Sequence, residues 1–171
     1  MIGIVADAPR DAEDLAAVRA LCWEYRAALA ALGPFDAAIV DLFYPADAYG
    51  RLMDRLAEEH APPAGGIVLA RAAGAPVGCG MFHTLAPGTA EIKRVFVRET
   101  ARGAGAGRAI VTALVGRCRA AGFRRIVLDT SRPLKAAQAL YLGLGFTPRG
   151  PYQPVPEIAR GHLLFFEMKL Q

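Results

Sequence analysis

Apolar residues at Leu15, Val18, Leu21, Cys22, Tyr25, Leu29 and Leu32 return every three or four positions. That spacing marks one face of an α-helix, and Asp11 ahead of it can cap the first turn. Gly33-Pro34 stops the run. Residues 34–46 read as a loop with apolar content, and Asp47 can cap a second helix to about Glu59, with Leu52, Leu56 and Met53 turned inward. A short stretch at 2–6 reads as a strand before the first helix. After Pro62-Pro63 and Gly65-Gly66 the pattern changes. Three strands follow at 67–71, 77–85 and 89–98. Their short connections carry Gly74-Ala75-Pro76 and Pro87-Gly88, which predicts an antiparallel meander. A glycine-rich loop at 101–107 leads into a helix over about 107–121, stopped by Gly122. A buried-type strand at 125–129, a helix from Pro133 to about residues 143–145, and strands at 146–152 and 163–170 complete the chain. This order predicts an α/β fold: a mixed, mostly antiparallel sheet of about seven strands with four helices on its faces.

With 171 residues, 54% apolar and 21% charged, the chain suits one globular domain spanning 1–171. No apolar run approaches the length of a membrane span, and the N-terminus lacks a basic patch followed by an apolar stretch. A cytoplasmic protein with no membrane partner is the expectation. The three cysteines, Cys22, Cys79 and Cys118, form no CxxC pair, so neither a disulfide framework nor a structural metal site is expected. Charge is uneven. Residues 1–60 hold 5 basic and 11 acidic side chains, whereas residues 91–135 hold 11 basic and 3 acidic. A basic middle suits an anionic ligand and an acidic N-terminal third suits a cationic one. There is no long basic run and no interleaving of aromatics with basic residues, so a nucleic-acid partner is not expected.

The segment Arg102-Gly103-Ala104-Gly105-Ala106-Gly107-Arg108 lies between a strand and a helix. Successive backbone N–H groups in such a turn, together with the helix N-terminus, make an anion site with a diphosphate as its natural guest. A dinucleotide fold is a poor fit, although Asp129 ends a strand 26 residues after Gly103. A dinucleotide loop follows its strand almost directly and opens the fold; here five residues, 98–102, intervene and the unit lies mid-chain. No GK[ST] exists for a P-loop.

The stretch EIKRVFVRETARGAGAGRAIVTAL at 91–114 resembles the core signature of the GNAT superfamily of acetyl-CoA-dependent N-acetyltransferases, with Arg102, Gly105 and Gly107 at the signature positions. RRIVLDTS at 124–131 and KAAQALYLGLGF at 135–146 resemble its second signature. The resemblance implies direct transfer of an acetyl group from acetyl-CoA to an amine of a small molecule or peptide. The alternative is a GNAT-like module that binds acetyl-CoA as a sensor or scaffold without turnover. It implies that Val95, Phe96 and Val97 pair by backbone with the pantetheine arm. The N–H groups of Gly103, Ala104, Gly105, Ala106, Gly107 and Arg108 would hold the pyrophosphate, Arg102 would close the loop, and the Arg108 side chain could reach a phosphate. Tyr141 matches the general acid that protonates the departing thiolate, and Glu91, 11 residues before Arg102, matches a general base. Acetyl-CoA is the implied co-substrate, with no metal, a small amine is the acceptor, and a homodimer is left open.

Other readings stay open at this level. Glu91 could instead pair with Lys93 or Arg94. Ala136 stands where many members carry asparagine, which would move a cofactor contact to Lys135 or Gln138. His83 reads as polar core or substrate contact, His60 and His162 as surface or strand-end residues, and Cys79 between two glycines as packing.

Overall fold

The computed structural model describes residues 3–171. Strand β1 (Ile4–Asp7) precedes helix α1 (Ala12–Ala30), whose cap Asp11 accepts from the Asp14 N–H. Ile2, the first residue of the predicted strand, lies outside the described residues. Three helices follow: α2 (Pro34–Phe43), α3 (Ala46–Asp54) and α4 (Leu56–Glu59). Then come β2 (Gly65–Ala72), β3 (Ala75–Ala86), β4 (Thr89–Val97), α5 (Ala106–Ala120), β5 (Arg125–Ser131), α6 (Lys135–Gly143), β6 (Thr147–Arg149) and β7 (Leu163–Lys169).

The described residues contain six α-helices rather than the expected four. The stretch read as a loop at 34–46 is mostly α2. Pro34 suits a first helical position, Asp36 sits in the first turn, and Ile39 and Val40 are buried one turn on. The predicted second helix is two pieces, because Arg55 departs from helical geometry and ends α3. Asp47 is not its cap; Pro45 occupies that position and Asp47 lies in the first turn.

The seven strands form one sheet in the order β1-β2-β3-β4-β5-β7-β6. All neighbours are antiparallel except β4 and β5. Along β2, successive residues serve opposite faces. Val68 and Ala70 join Ile110, Leu114, Leu128, Tyr141 and Phe166 in one core, whereas Ile67 and Leu69 join Val18, Leu21, Tyr49 and Met81 in the other. Helix α5 presses close on the first face. A Cβ on Gly80 of β3 would lie 2.7 Å from an Ile110 methyl, so only glycine fits there.

Two irregularities of β4 position the site. It pairs with β5 only from Thr89 to Glu91, opposite Arg125 to Val127, and beyond that the strands diverge. It also bulges. Lys93 pairs with Met81 and Phe96 with Cys79, so Arg94 and Val95 share the place opposite Gly80, and Arg94 takes a left-handed φ of 52°. A ladder that stops midway leaves strand backbone facing an open cleft.

Candidate active site

Three cavities line that cleft. The first, about 520 Å³, runs along the far half of β4 and under α6 to the glycine loop. Val95, Phe96, Val97, Arg102, Gly103, Gly105, Ala106, Gly107, Arg108 and Tyr141 line it. Ala104 does not; it is exposed on the loop. Gly103 and Gly105 have φ of +78° and +86°, and a Cβ on either would meet nothing within 4 Å, so the space against the loop is free. Gly105 caps α5 without any side-chain hydrogen bond, which leaves the first N–H groups of the helix available. Arg102 Nε donates to Val97 O at 3.3 Å across the base of the loop. Ala136 lines this cavity, whereas Gln138 turns away and donates to Ser131 O and Arg132 O. Lys135 is exposed and does not line it.

A narrow throat of about 50 Å³ lies between the first cavity and the third; Tyr25 and Leu134 line all three spaces, and Tyr141 lines the first cavity and the throat. Glu91, Lys93, Arg94, Val95 and Asp129 also line it. The third cavity, about 330 Å³, is walled by Leu29, Ile39, Val40, Phe43 and Leu163 and carries Asp36, Lys93 and Asp129. Helix α2, which the sequence pattern did not reveal, supplies one whole wall.

Tyr141 is 5% exposed and packs edge-on against Phe146. Burial and the nearby Asp129 raise its pKa well above the usual phenol value. The hydroxyl therefore stays protonated, and Tyr141 lines both the first cavity and the throat. Glu91 is 2% exposed and fully engaged. Its Oε2 lies 2.6 Å from His83 Nε2, while Oε1 accepts from the Tyr152 hydroxyl at 2.9 Å and from Lys93 Nζ at 3.4 Å. Burial alone would raise its pKa, but the His83 hydrogen bond, the Lys93 charge and the Tyr152 hydroxyl bring it down to about 2. Asp129 responds the other way. Burial raises its pKa and Glu91 adds to this, with Lys93 and Tyr152 opposing. Two carboxylates in one site are thus pushed apart, the pattern that separates acid and base roles.

Tyr152, Lys93, Asp129 and Tyr25 escaped the sequence reading as site residues. Asp129 had one usable signal, as the only charged position within the apolar run from Ile126 to Thr130. Tyr152 had none; it sits in an irregular segment between β6 and β7. The Arg94 guanidinium is buried over the rings of Tyr44 and Tyr49, each 5.6 Å away, a cation–π arrangement that anchors the bulge. His60 is not a surface residue. It is 4% exposed, its Nδ1 lies 2.8 Å from Phe82 O, and burial lowers its pKa to about 4. His162 pairs with Asp36 at 2.9 Å, tying the start of α2 to the turn before β7. Among the described residues no cluster of His, Cys, Asp or Glu is arranged to hold a metal. No described helix is long and apolar enough to cross a membrane.

Comparison with known proteins places this architecture. A family model described as Acetyltransferase (GNAT) family matches residues 36–146. An IAA acetyltransferase of Azospirillum brasilense is 39% identical over 88 residues, covering 51% of this chain and 58% of that protein. An uncharacterised N-acetyltransferase of Schizosaccharomyces pombe is 34% identical over 104 residues, covering 58% of this chain and 64% of its own length. The chain thus matches less than two thirds of either relative. Among solved structures, the PaiA N-acetyltransferase of Thermoplasma acidophilum, in complex with coenzyme A, shares the fold at a TM-score of 0.72 with 14% identity, covering 99% of this chain and all of that one.

Proposed function

The chain belongs to the GNAT acetyltransferase family, and from that premise we propose that it transfers the acetyl group of acetyl-CoA directly to an amine. One observation carries the reading: a glycine-loop cavity and an apolar-walled cavity with two carboxylates meet at one throat, where Tyr141 and the free backbone of β4 converge. The N–H groups from Gly103 to Arg108 suit a pyrophosphate, because helix-start donors and the local dipole both favour negative charge. Beyond Glu91, β4 has no β5 ladder. Its backbone at Val95, Phe96 and Val97 can pair with the amide groups of a pantetheine arm, as an added strand would.

The thioester would then lie in the throat. The amine occupies the third cavity, loses a proton to the carboxylate side, and attacks the carbonyl. The N–H near Val95 would stabilise the oxyanion, and Tyr141 would protonate the departing thiolate. Alignment of the two reactants supplies roughly 7–11 kcal/mol in well-ordered cases, and each proton-transfer group adds ~10²–10⁴-fold. Glu91, the family's expected base, takes part through its hydrogen-bonded partners, since both its oxygens are engaged. Apolar walls with acidic residues suit a small amine carrying an apolar body. The test is incubation with acetyl-CoA and a panel of primary amines, followed by mass spectrometry. An acetylated amine is the expected product. Thermal stabilisation by CoA with no acetylated amine would instead fit a binding module.

A further inference from the structure

Four polar side chains link the acceptor cavity to solvent. Asp129 lines both that cavity and the throat. Its Oδ2 lies 3.2 Å from the Tyr152 hydroxyl, which lies 2.9 Å from Glu91 Oε1. Glu91 Oε2 lies 2.6 Å from His83 Nε2. The Glu91 side chain is 3% exposed, whereas that of His83 is 34% exposed. One hydroxyl carries one proton and cannot donate to two carboxylates at once. Tyr152 can satisfy both acids only if one of them donates back to its oxygen, so the geometry gives a proton on one acid a hydrogen-bonded route to the other. A structural ion pair needs no such connection between a substrate cavity and the surface.

We infer that the proton lost by the acceptor amine leaves through Asp129, Tyr152, Glu91 and His83 to water. The inference rests on the proposed transfer to an amine. Asp129 takes the proton from the ammonium as the amine nitrogen keeps the electron pair. Asp129 passes it to the Tyr152 oxygen as the Tyr152 proton moves to Glu91. The Glu91–His83 pair takes up that proton and releases one from the imidazole to water, and rotation of the tyrosine hydroxyl resets the path. One proton leaves the amine and one reaches solvent. The charged and titratable groups around the path are few. Lys93 of β4 faces Glu91 at 3.4 Å and lines the acceptor cavity beside Asp129. Tyr25 of α1, Tyr44 after α2, Arg94 of β4 and Tyr141 of α6 line the throat with Asp129, and Asp36 of α2 lines the acceptor cavity. The Arg149 guanidinium of β6 lies 5.8 Å from the Tyr152 ring, and the His60 ring lies 6.0 Å from that of His83.

Two variants test the path in the wild-type background, using an amine found acetylated by the panel. Tyr152→Phe keeps the ring against Phe165 and removes only the hydroxyl. It should lower kcat/KM at least tenfold near neutral pH and recover as pH rises toward the free amine's pKa, because the amine then arrives deprotonated. His83→Ala should show the same pH-dependent loss, and added imidazole should restore rate in it but not in Tyr152→Phe. An equal loss at every pH, or no imidazole rescue of His83→Ala, would overturn the path while leaving acetyl transfer standing. Absence of amine acetylation by the wild type would remove both, since no amine proton would then be lost.

Discussion

The two ends of the cleft are built by different means. At the glycine-loop end one continuous stretch, from β4 through the loop into α5, supplies the strand and loop backbone, while α1 and α6 close the remaining walls with apolar side chains. The proposed acceptor end is assembled from α1, α2, Lys93 of β4, the end of β5 and the segment before β7, and what it offers is mainly side chains. Backbone recognition demands fixed residue types at fixed spacing, because only glycine gives the positive φ and the free space at residues 103 and 105. Side-chain recognition demands only that distant residues converge. The first kind of site writes a motif into a sequence and the second does not.

The largest effect expected from breaking this contrast is at the loop. Gly105→Glu should abolish the gain in stability from CoA, about 2.7 kcal/mol for wild type at 100 times Kd, and with it the turnover. The side chain would fill the free space, and its charge would oppose a phosphate. Thermal unfolding with and without CoA reads this, and the unliganded curve shows whether the fold survives a residue strained at φ +86°. Undiminished stabilisation by CoA would place the phosphates elsewhere.

Next in size is Tyr141→Phe, at the junction of the two ends. It should lower kcat by ~10²-fold or more, with little change in the KM for acetyl-CoA, because its proton acts on charge that develops only at the departing sulfur. An unchanged kcat would make Tyr141 a packing residue.

The third is electrostatic. A folded-state pKa of about 2 for Glu91, against an ordinary 4.5, means that the fold favours the carboxylate. This contribution is fully present above about pH 4.5 and is lost as pH falls through 2. It is on the order of 3 kcal/mol, and Glu91→Gln should remove that acid-labile part. Urea titrations between pH 7 and pH 3 check it; a variant whose pH dependence matches wild type would contradict the network.

The smallest effect is on the acceptor wall. Phe43 of α2 is half-exposed and lines the third cavity. Phe43→Ala should change the acceptor KM by about tenfold, or 1–2 kcal/mol, while CoA stabilises the variant as it does wild type. A change in CoA binding instead would mean that the two ends are not separable.

The same contrast explains what could be read from the chain. The meander, helix α5 and the loop before it were legible because local periodicity and glycine placement specify them. Glu91 and Tyr141, singled out through the family resemblance, both line the throat. Helix α2 was not legible, because Gly33-Pro34 and Pro45 bracket only ten helical residues and look like loop punctuation. The helix break at Arg55 carries no proline or glycine to announce it. The Asp129–Tyr152–Glu91 arrangement joins residues 23 and 61 positions apart, and no spacing rule spans such distances.

The central claim is that acetyl donor and acceptor lie together in one connected cleft and react without a covalent enzyme intermediate. The initial-rate pattern with both substrates varied tests this most directly. Direct transfer predicts intersecting double-reciprocal lines, since both substrates must be bound before either product leaves. Parallel lines, together with an acetylated form of the chain after acetyl-CoA alone, would contradict it, because they are the signature of a ping-pong route through an enzyme nucleophile.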